Sequence, residues 1–153
     1  MEHTLQHPIG LAHLITALLA IIIGALIVFS KKGTRKHLWL GRAYAGTMIA
    51  VNITAFLIYE LFGGFGLFHW MALFSLLSVL IGYFPARLRN PGWKARHAYF
   101  MSGSYVGLIA AFAAETLTRW ISLPFFAGVA VVSFSVIFLG VVLMRRFIPR
   151  LLR

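Results

Sequence analysis

Apolar residues in this chain form five long runs that are separated by short polar stretches. Each run approaches or exceeds the roughly 20 residues that an α-helix needs to cross a bilayer. The runs are apolar on every side, whereas a surface helix of a soluble protein has a single apolar stripe. The predicted spans cover residues about 8–29, 38–62, 65–84, 97–118 and 122–144. The pattern therefore predicts an all-α integral membrane protein, a single transmembrane domain of five helices.

The short segments between the runs predict how the helices are arranged. Gly63-Gly64 joins the second and third spans, and Arg119–Ile121 joins the fourth and fifth. Such short connections hold consecutive helices side by side and antiparallel. We therefore predict a bundle in which four spans form the core and the fifth lies outside it. Thr34 is placed to cap the N-terminus of the second helix.

Composition and charge support a location in the membrane. Hydrophobic residues make up 61% of the chain and charged residues only 11%, whereas soluble domains carry about 25% charged residues. All but one of the 14 Lys and Arg residues fall in three clusters that five spans would place on one side: Lys31, Lys32, Arg35, Lys36 and Arg42; Arg87, Arg89, Lys94 and Arg96; and Arg145, Arg146, Arg150 and Arg153. The bias of basic residues toward the cytoplasm then predicts an outside N-terminus and a cytoplasmic C-terminus.

The net charge of +11 therefore reflects topology and contact with the anionic headgroups of the bilayer. The basic residues form no DNA-reading motif and no basic–aromatic groove, so no nucleic-acid partner is predicted. The absence of Cys excludes disulfides and thiolate metal ligands.

Four histidines lie near the N-terminal turn of a predicted span. The topology places His13 and His69 near the outer surface, on spans one and three, and His37 and His97 near the inner surface, on spans two and four. In an up-and-down bundle, spans one and three are diagonal partners, and so are spans two and four. The two histidines of each pair can therefore face each other across the core. Two histidines on facing helices can hold a b-type haem through both axial positions.

The leading hypothesis is therefore a membrane redox protein that binds haem b and exchanges electrons with a quinone or a redox protein. His37 and His97 would hold an inner haem, with Tyr44 on the face of His37 and Arg42 near the haem propionates. His13 and His69 would hold an outer haem. His13 and His37 are 24 residues apart, which puts the two levels roughly 30 Å or more apart. That distance is long for direct electron transfer between two haems.

Two other functions stay open. Glu60 and Glu115 fall at the outer ends of their spans, level with His13 and His69. Two histidines and two carboxylates suit zinc or non-haem iron, and they would make the chain a metal-dependent membrane enzyme. In a third hypothesis the chain is a transport or structural protein without a cofactor, in which these groups pack or conduct protons.

Three short motifs carry a resemblance to a known family. They are Lys32-Gly33-Thr34-Arg35-Lys36-His37 with Leu40-Gly41-Arg42-Ala43-Tyr44, then Phe65-Gly66-Leu67-Phe68-His69-Trp70, then His97-Ala98-Tyr99-Phe100-Met101. Over residues about 8–119 the chain resembles a family of small predicted membrane proteins found widely in bacteria. The resemblance implies a multi-span fold in the cytoplasmic (inner) membrane of a bacterium, and it implies no particular activity. The paired histidines are similar, in architecture only, to those of two-haem membrane cytochromes b, which space their ligands more closely across the bilayer.

Overall fold

Five α-helices and no β-strand make up the part of the chain that the computed structural model describes, which is residues 8–58, 63–118, 120 and 124–152. The helices are α1 (Pro8–Phe29), α2 (Arg35–Phe56), α3 (Leu67–Leu88), α4 (Trp93–Leu117) and α5 (Phe125–Leu151). Each overlaps the span predicted in its place. The prediction of an all-α membrane protein with five helices is confirmed.

Four of the five helices, α1, α3, α4 and α5, are long and apolar enough to cross a membrane. Large apolar side chains stand exposed on them, and Phe134 and Phe138 are each 73% exposed. Apolar surface on this scale fits lipid as its surroundings and would be unfavourable in water. The inside and outside ends of the helices, and the division into a four-helix core and a fifth span, stay predictions.

Helix α2 is less apolar than the other four because polar residues lie inside it. Asn52 is buried in α2, and its amide donates to the carbonyl of Met48 at 2.7 Å. Thr47 donates to the carbonyls of its own helix, 3.1 Å from Ala43 and 2.9 Å from Tyr44. These bonds satisfy polar groups within the helix, which is the requirement for placing them at membrane depth. Residues 59–62, the end of the predicted second span, lie outside the described residues.

Side chains close the ends of α1 and α2. The Thr34 hydroxyl accepts from the His37 N–H at 3.2 Å and caps the start of α2, which confirms the prediction for Thr34. The ammonium of Lys32 donates to the carbonyls of Val28 and Ser30 at 3.0 and 3.1 Å. A cation at this place complements the partial negative charge at the C-terminus of α1. Burial lowers the pKa of Lys32 from its ordinary value.

The loop between α3 and α4 has a defined conformation. Arg89 adopts the left-handed region (φ 54°), and the Asn90 N–H donates to the Pro85 carbonyl at 3.2 Å. This six-to-one bond is that of a Schellman motif, which usually has glycine at the left-handed position. The guanidinium of Arg96 donates back to the carbonyl of Pro91. These bonds fix the point at which α4 begins, and with it the first turns of that helix.

The structure divides into two compact units, one up to Val79 and one from Leu80 onward. In the first unit α1 packs against α2. The residues that α1 buries are small: Gly10, Ala17, Ala20 and Gly24. Small residues on one helical face let a neighbouring helix approach closely in lipid. The assignment of all 153 residues to a single domain stays a prediction.

In the second unit α4 packs against α5. A Cβ added at Gly140 would overlap the Val106 side chain, and one added at Gly128 would lie 3.2 Å from Thr118 Cγ2. Thr118 comes after Val106 on α4, whereas Gly128 comes before Gly140 on α5 by the same number of residues. The two helices therefore run antiparallel. The end of α5 therefore lies level with the start of α4.

Candidate functional site

His97 lies one turn into α4 and is hydrogen-bonded to the backbone of α3. Its Nδ1 is 3.0 Å from the carbonyl oxygen of Gly82. A carbonyl only accepts, so Nδ1 carries the proton and donates it, and the lone pair of the neutral ring is on Nε2. Histidines that bind a metal through Nε2 almost always have this second bond, because it fixes the tautomer and the ring orientation. The half-buried His97 therefore has the tautomer of a ligand.

Glycine at position 82 is what permits this contact. A Cβ there would lie 2.9 Å from Met101 Cγ and Sδ and 3.0 Å from the Met101 backbone nitrogen. Pro85 follows within α3, and because proline has no N–H it removes the helical bond to Ile81, the neighbour of Gly82. Sequence reasoning missed Gly82. The signal that could have identified it is a glycine inside an apolar span, three residues before a proline.

The groups around His97 are aromatic and basic. The rings of Trp93 and His97 meet edge to face, with centroids 6.3 Å apart. Lys94 is exposed on the same turn of α4, whereas Arg96 bonds to the loop as described above. The site thus has an oriented imidazole, an aromatic wall and one exposed ammonium group.

The other residues predicted for the inner site lie on α2. His37 is half-buried in the first turn of that helix, and Tyr44 is buried with 2% of its surface exposed. Arg42 is exposed and its guanidinium carbon lies 5.6 Å from the centre of the Trp39 ring. His37, Arg42 and Tyr44 belong to the first unit and His97 to the second. The pairing of His37 with His97 stays a prediction.

His13 joins α1 to α2. Its Nδ1 is 2.8 Å from the Thr54 hydroxyl, which is itself 2.9 Å from the carbonyls of Ala50 and Val51. When the hydroxyl donates its one proton to its own helix, it accepts from His13 Nδ1. The lone pair of neutral His13 is then on Nε2, as it is in His97.

His69 has the opposite arrangement. It is 2% exposed, and its Nδ1 lies 3.1 Å from the backbone N–H of Gly66, the residue before α3. An N–H only donates, so Nδ1 accepts and the proton of neutral His69 is on Nε2. A side chain at the third helical position that accepts from the capping residue is one half of a capping box. The ring also stacks on Phe65 at 4.9 Å. This geometry gives His69 a structural role at the start of α3.

The predicted zinc or iron site is not assembled within the described residues, where no group of three or more His, Asp or Glu side chains could hold a metal ion. Glu60 lies outside the described residues, and Glu115 is exposed near the end of α4. The ligand set His13, His69, Glu115 and Glu60 stays a prediction.

Comparison with known protein families identifies a match over nearly the whole chain. The family model described as "Predicted membrane protein (DUF2306)" matches residues 10–152, a range that includes all of α2, α3, α4 and α5 and nearly all of α1. No curated protein and no solved structure matches the chain.

Proposed function

We propose that this chain, which belongs to the DUF2306 family of predicted membrane proteins, is a b-type haem redox protein of the bacterial cytoplasmic membrane. In this proposal His97 and His37 would hold the haem iron. A quinone or a redox protein supplies or accepts the electron.

The bond between His97 Nδ1 and the Gly82 carbonyl carries the proposal. A histidine that only sits at the interface needs no particular tautomer, because water serves either ring nitrogen. In His97 the proton is held on Nδ1 by a carbonyl of the adjacent helix, within a contact so close that a Cβ at position 82 would lie 2.9 Å from the Met101 side chain. The bond also makes Nε2 a better electron donor to iron.

The residues around His97 fit a haem. Bound haem would supply a one-electron couple, and its axial ligands and surroundings would set the potential. His97 would hold the iron, the bond to Gly82 would keep the imidazole from rotating, and Trp93 would cover one edge of the site. The exposed ammonium of Lys94 suits a propionate at the membrane surface.

The outer pair supports a count of one haem per chain. The Nδ1 of His69 accepts from the Gly66 N–H, which is the opposite of the bond that a ligand histidine makes. To bind iron through Nε2, His69 would have to move its proton to Nδ1 and break the bond to Gly66. A two-haem chain would therefore lose the cap at the start of α3.

The test is a reduced-minus-oxidised absorption spectrum of detergent-purified protein that was expressed with a haem precursor. We expect the bands of a six-coordinate b-type haem, at one haem per chain. His97→Ala and His37→Ala should each remove the six-coordinate signal. His69→Gln is the matched control, since glutamine keeps an acceptor for Gly66 and cannot replace an iron ligand.

Two results would reject the proposal. A colourless wild-type protein would eliminate haem, and elemental analysis would then decide between a zinc or iron site and a protein without a cofactor. Full haem content in His97→Ala would eliminate His97 as the ligand.

A further inference from the structure

The last turns of α5 reach the membrane surface and carry arginines. Helix α5 has 27 residues, which gives a length of roughly 40 Å, whereas the hydrocarbon core of a bilayer is about 30 Å thick. Its final turns lie level with the start of α4, where Lys94 and Arg96 are. Arg145, Arg146 and Arg150 therefore lie at the depth of the lipid headgroups.

Two of these arginines share one aromatic ring. The guanidinium carbon of Arg146 is 6.0 Å from the centre of the Phe147 ring, and that of Arg150 is 5.8 Å from it. Cation–π contacts of this kind hold a guanidinium in place. The pair is thus restrained side by side, one helical turn apart. Arg145 is on the same turn and has no such contact with the ring.

The pair is exposed at the end of α5. Ile148, on the same turn, is only 4% exposed and is buried in its own unit. Arg146 and Arg150 are each two residues from Ile148, which places them about 200° around the helix from it. Both arginines are exposed.

The chain has few carboxylate side chains that could be counter-ions for these arginines. The sequence has no Asp or Glu after Glu115, and the whole chain has three acidic residues against 14 basic ones. At the cytoplasmic surface of a membrane the abundant anion is the phosphate of an acidic lipid. Arginine suits phosphate because its planar donors can bind two oxygens together.

We propose that Arg146 and Arg150 bind the phosphate of one anionic phospholipid headgroup, with Phe147 positioning both guanidinium groups beside it. This assignment is independent of haem. The other reason for cations at this place is the partial negative charge of the helix C-terminus, which would need no lipid and would not distinguish Arg145 from its neighbours.

The experiment titrates phosphatidylglycerol into the full-length protein in neutral detergent and follows the thermal unfolding midpoint by tryptophan fluorescence. Arg146→Gln and Arg150→Gln should each raise the lipid concentration for half-maximal stabilisation about tenfold, the loss expected for one charge-assisted contact. Arg145→Gln, which removes the same charge from the same turn, should change it by less than about twofold. Phosphatidylcholine and inorganic phosphate should not stabilise the protein.

Three results would overturn the assignment. If Arg145→Gln weakens the response as much as Arg146→Gln, only the net charge matters. If phosphatidylcholine stabilises equally, no anion is recognised, and if inorganic phosphate does so, the ligand is not a lipid. Should a Gln variant fail to fold, Arg146→Lys keeps the charge and removes the planar fork. A wild-type response from that variant would also contradict the proposal.

Discussion

Gly82→Ala tests the contact that orients His97. The new Cβ would lie 2.9 Å from the Met101 Cγ and Sδ atoms, which can move, but also 3.0 Å from the Met101 backbone nitrogen, which cannot move without α4. The helix must therefore shift by a few tenths of an ångström. Overpacking of this kind costs about 1–3 kcal/mol, and weakening the bond from His97 adds about 1 kcal/mol.

Alanine also offsets part of that cost, because it is about 1 kcal/mol more favourable than glycine inside a helix. We therefore expect Gly82→Ala to lower the free energy of unfolding by about 1–3 kcal/mol. Gly107→Ala is the matched control within α4, because nothing lies within 4 Å of a Cβ built there. It should be neutral or stabilising. Thermal unfolding in detergent, followed by tryptophan fluorescence, measures both. A Gly82→Ala midpoint equal to that of Gly107→Ala would refute the close approach.

Three further substitutions test the local structure. Arg89→Gly should stabilise the protein by about 0.5–1 kcal/mol, since glycine relieves the left-handed backbone at a small entropic cost; the unfolding midpoint measures it. His69→Gln should be about 1 kcal/mol more stable than His69→Ala because glutamine keeps the capping acceptor. Thr54→Val should cost about 1 kcal/mol by removing the acceptor for His13, whereas Thr47→Val, which loses only bonds within its own helix, should cost less.

Each of these expectations has a result that contradicts it. Destabilisation by Arg89→Gly would mean that the Arg89 side chain contributes more than its backbone costs. Equal losses from His69→Gln and His69→Ala would mean that the ring, and not the cap, is what matters. If Thr47→Val costs as much as Thr54→Val, the bond between α1 and α2 contributes nothing measurable.

The hydrophobic runs predicted the positions of the helices more accurately than they predicted the helix ends. The run at 8–29 has the same bounds as α1, because in this part of the chain the helix consists of the apolar run alone. Helix α4 begins four residues before its run, and α5 continues past its run by several residues, since a helix extends into the interface until a cap or a turn stops it. The Thr34 cap was predictable from its side chain, whereas the left-handed Arg89 was not, because that position normally calls for glycine.

The histidines were found from the sequence, but their tautomers were not. Position along a span predicted one level for His13 and His69, so the sequence argument gave both histidines the same role. Their bonding differs because the His13 ring contacts the Thr54 hydroxyl on another helix, whereas the His69 ring contacts the Gly66 N–H at the start of its own helix. A periodicity argument gives the direction of a side chain and does not identify the backbone group it reaches. Gly82 was missed for the same reason.

The low apolar content of α2 has a consequence for how the protein enters the membrane. Polar residues make the insertion of a helix by itself less favourable, and α2 carries the buried amide of Asn52 together with Arg42 near its start. Its neighbour α1 is strongly apolar and is joined to it by a short loop. We expect α1 to enter first and α2 to follow as the second arm of a helical hairpin, with the His13–Thr54 bond forming as the arms meet. Substitutions along that contact should then reduce the amount of correctly integrated chain during synthesis, before any mature protein exists whose stability could be measured.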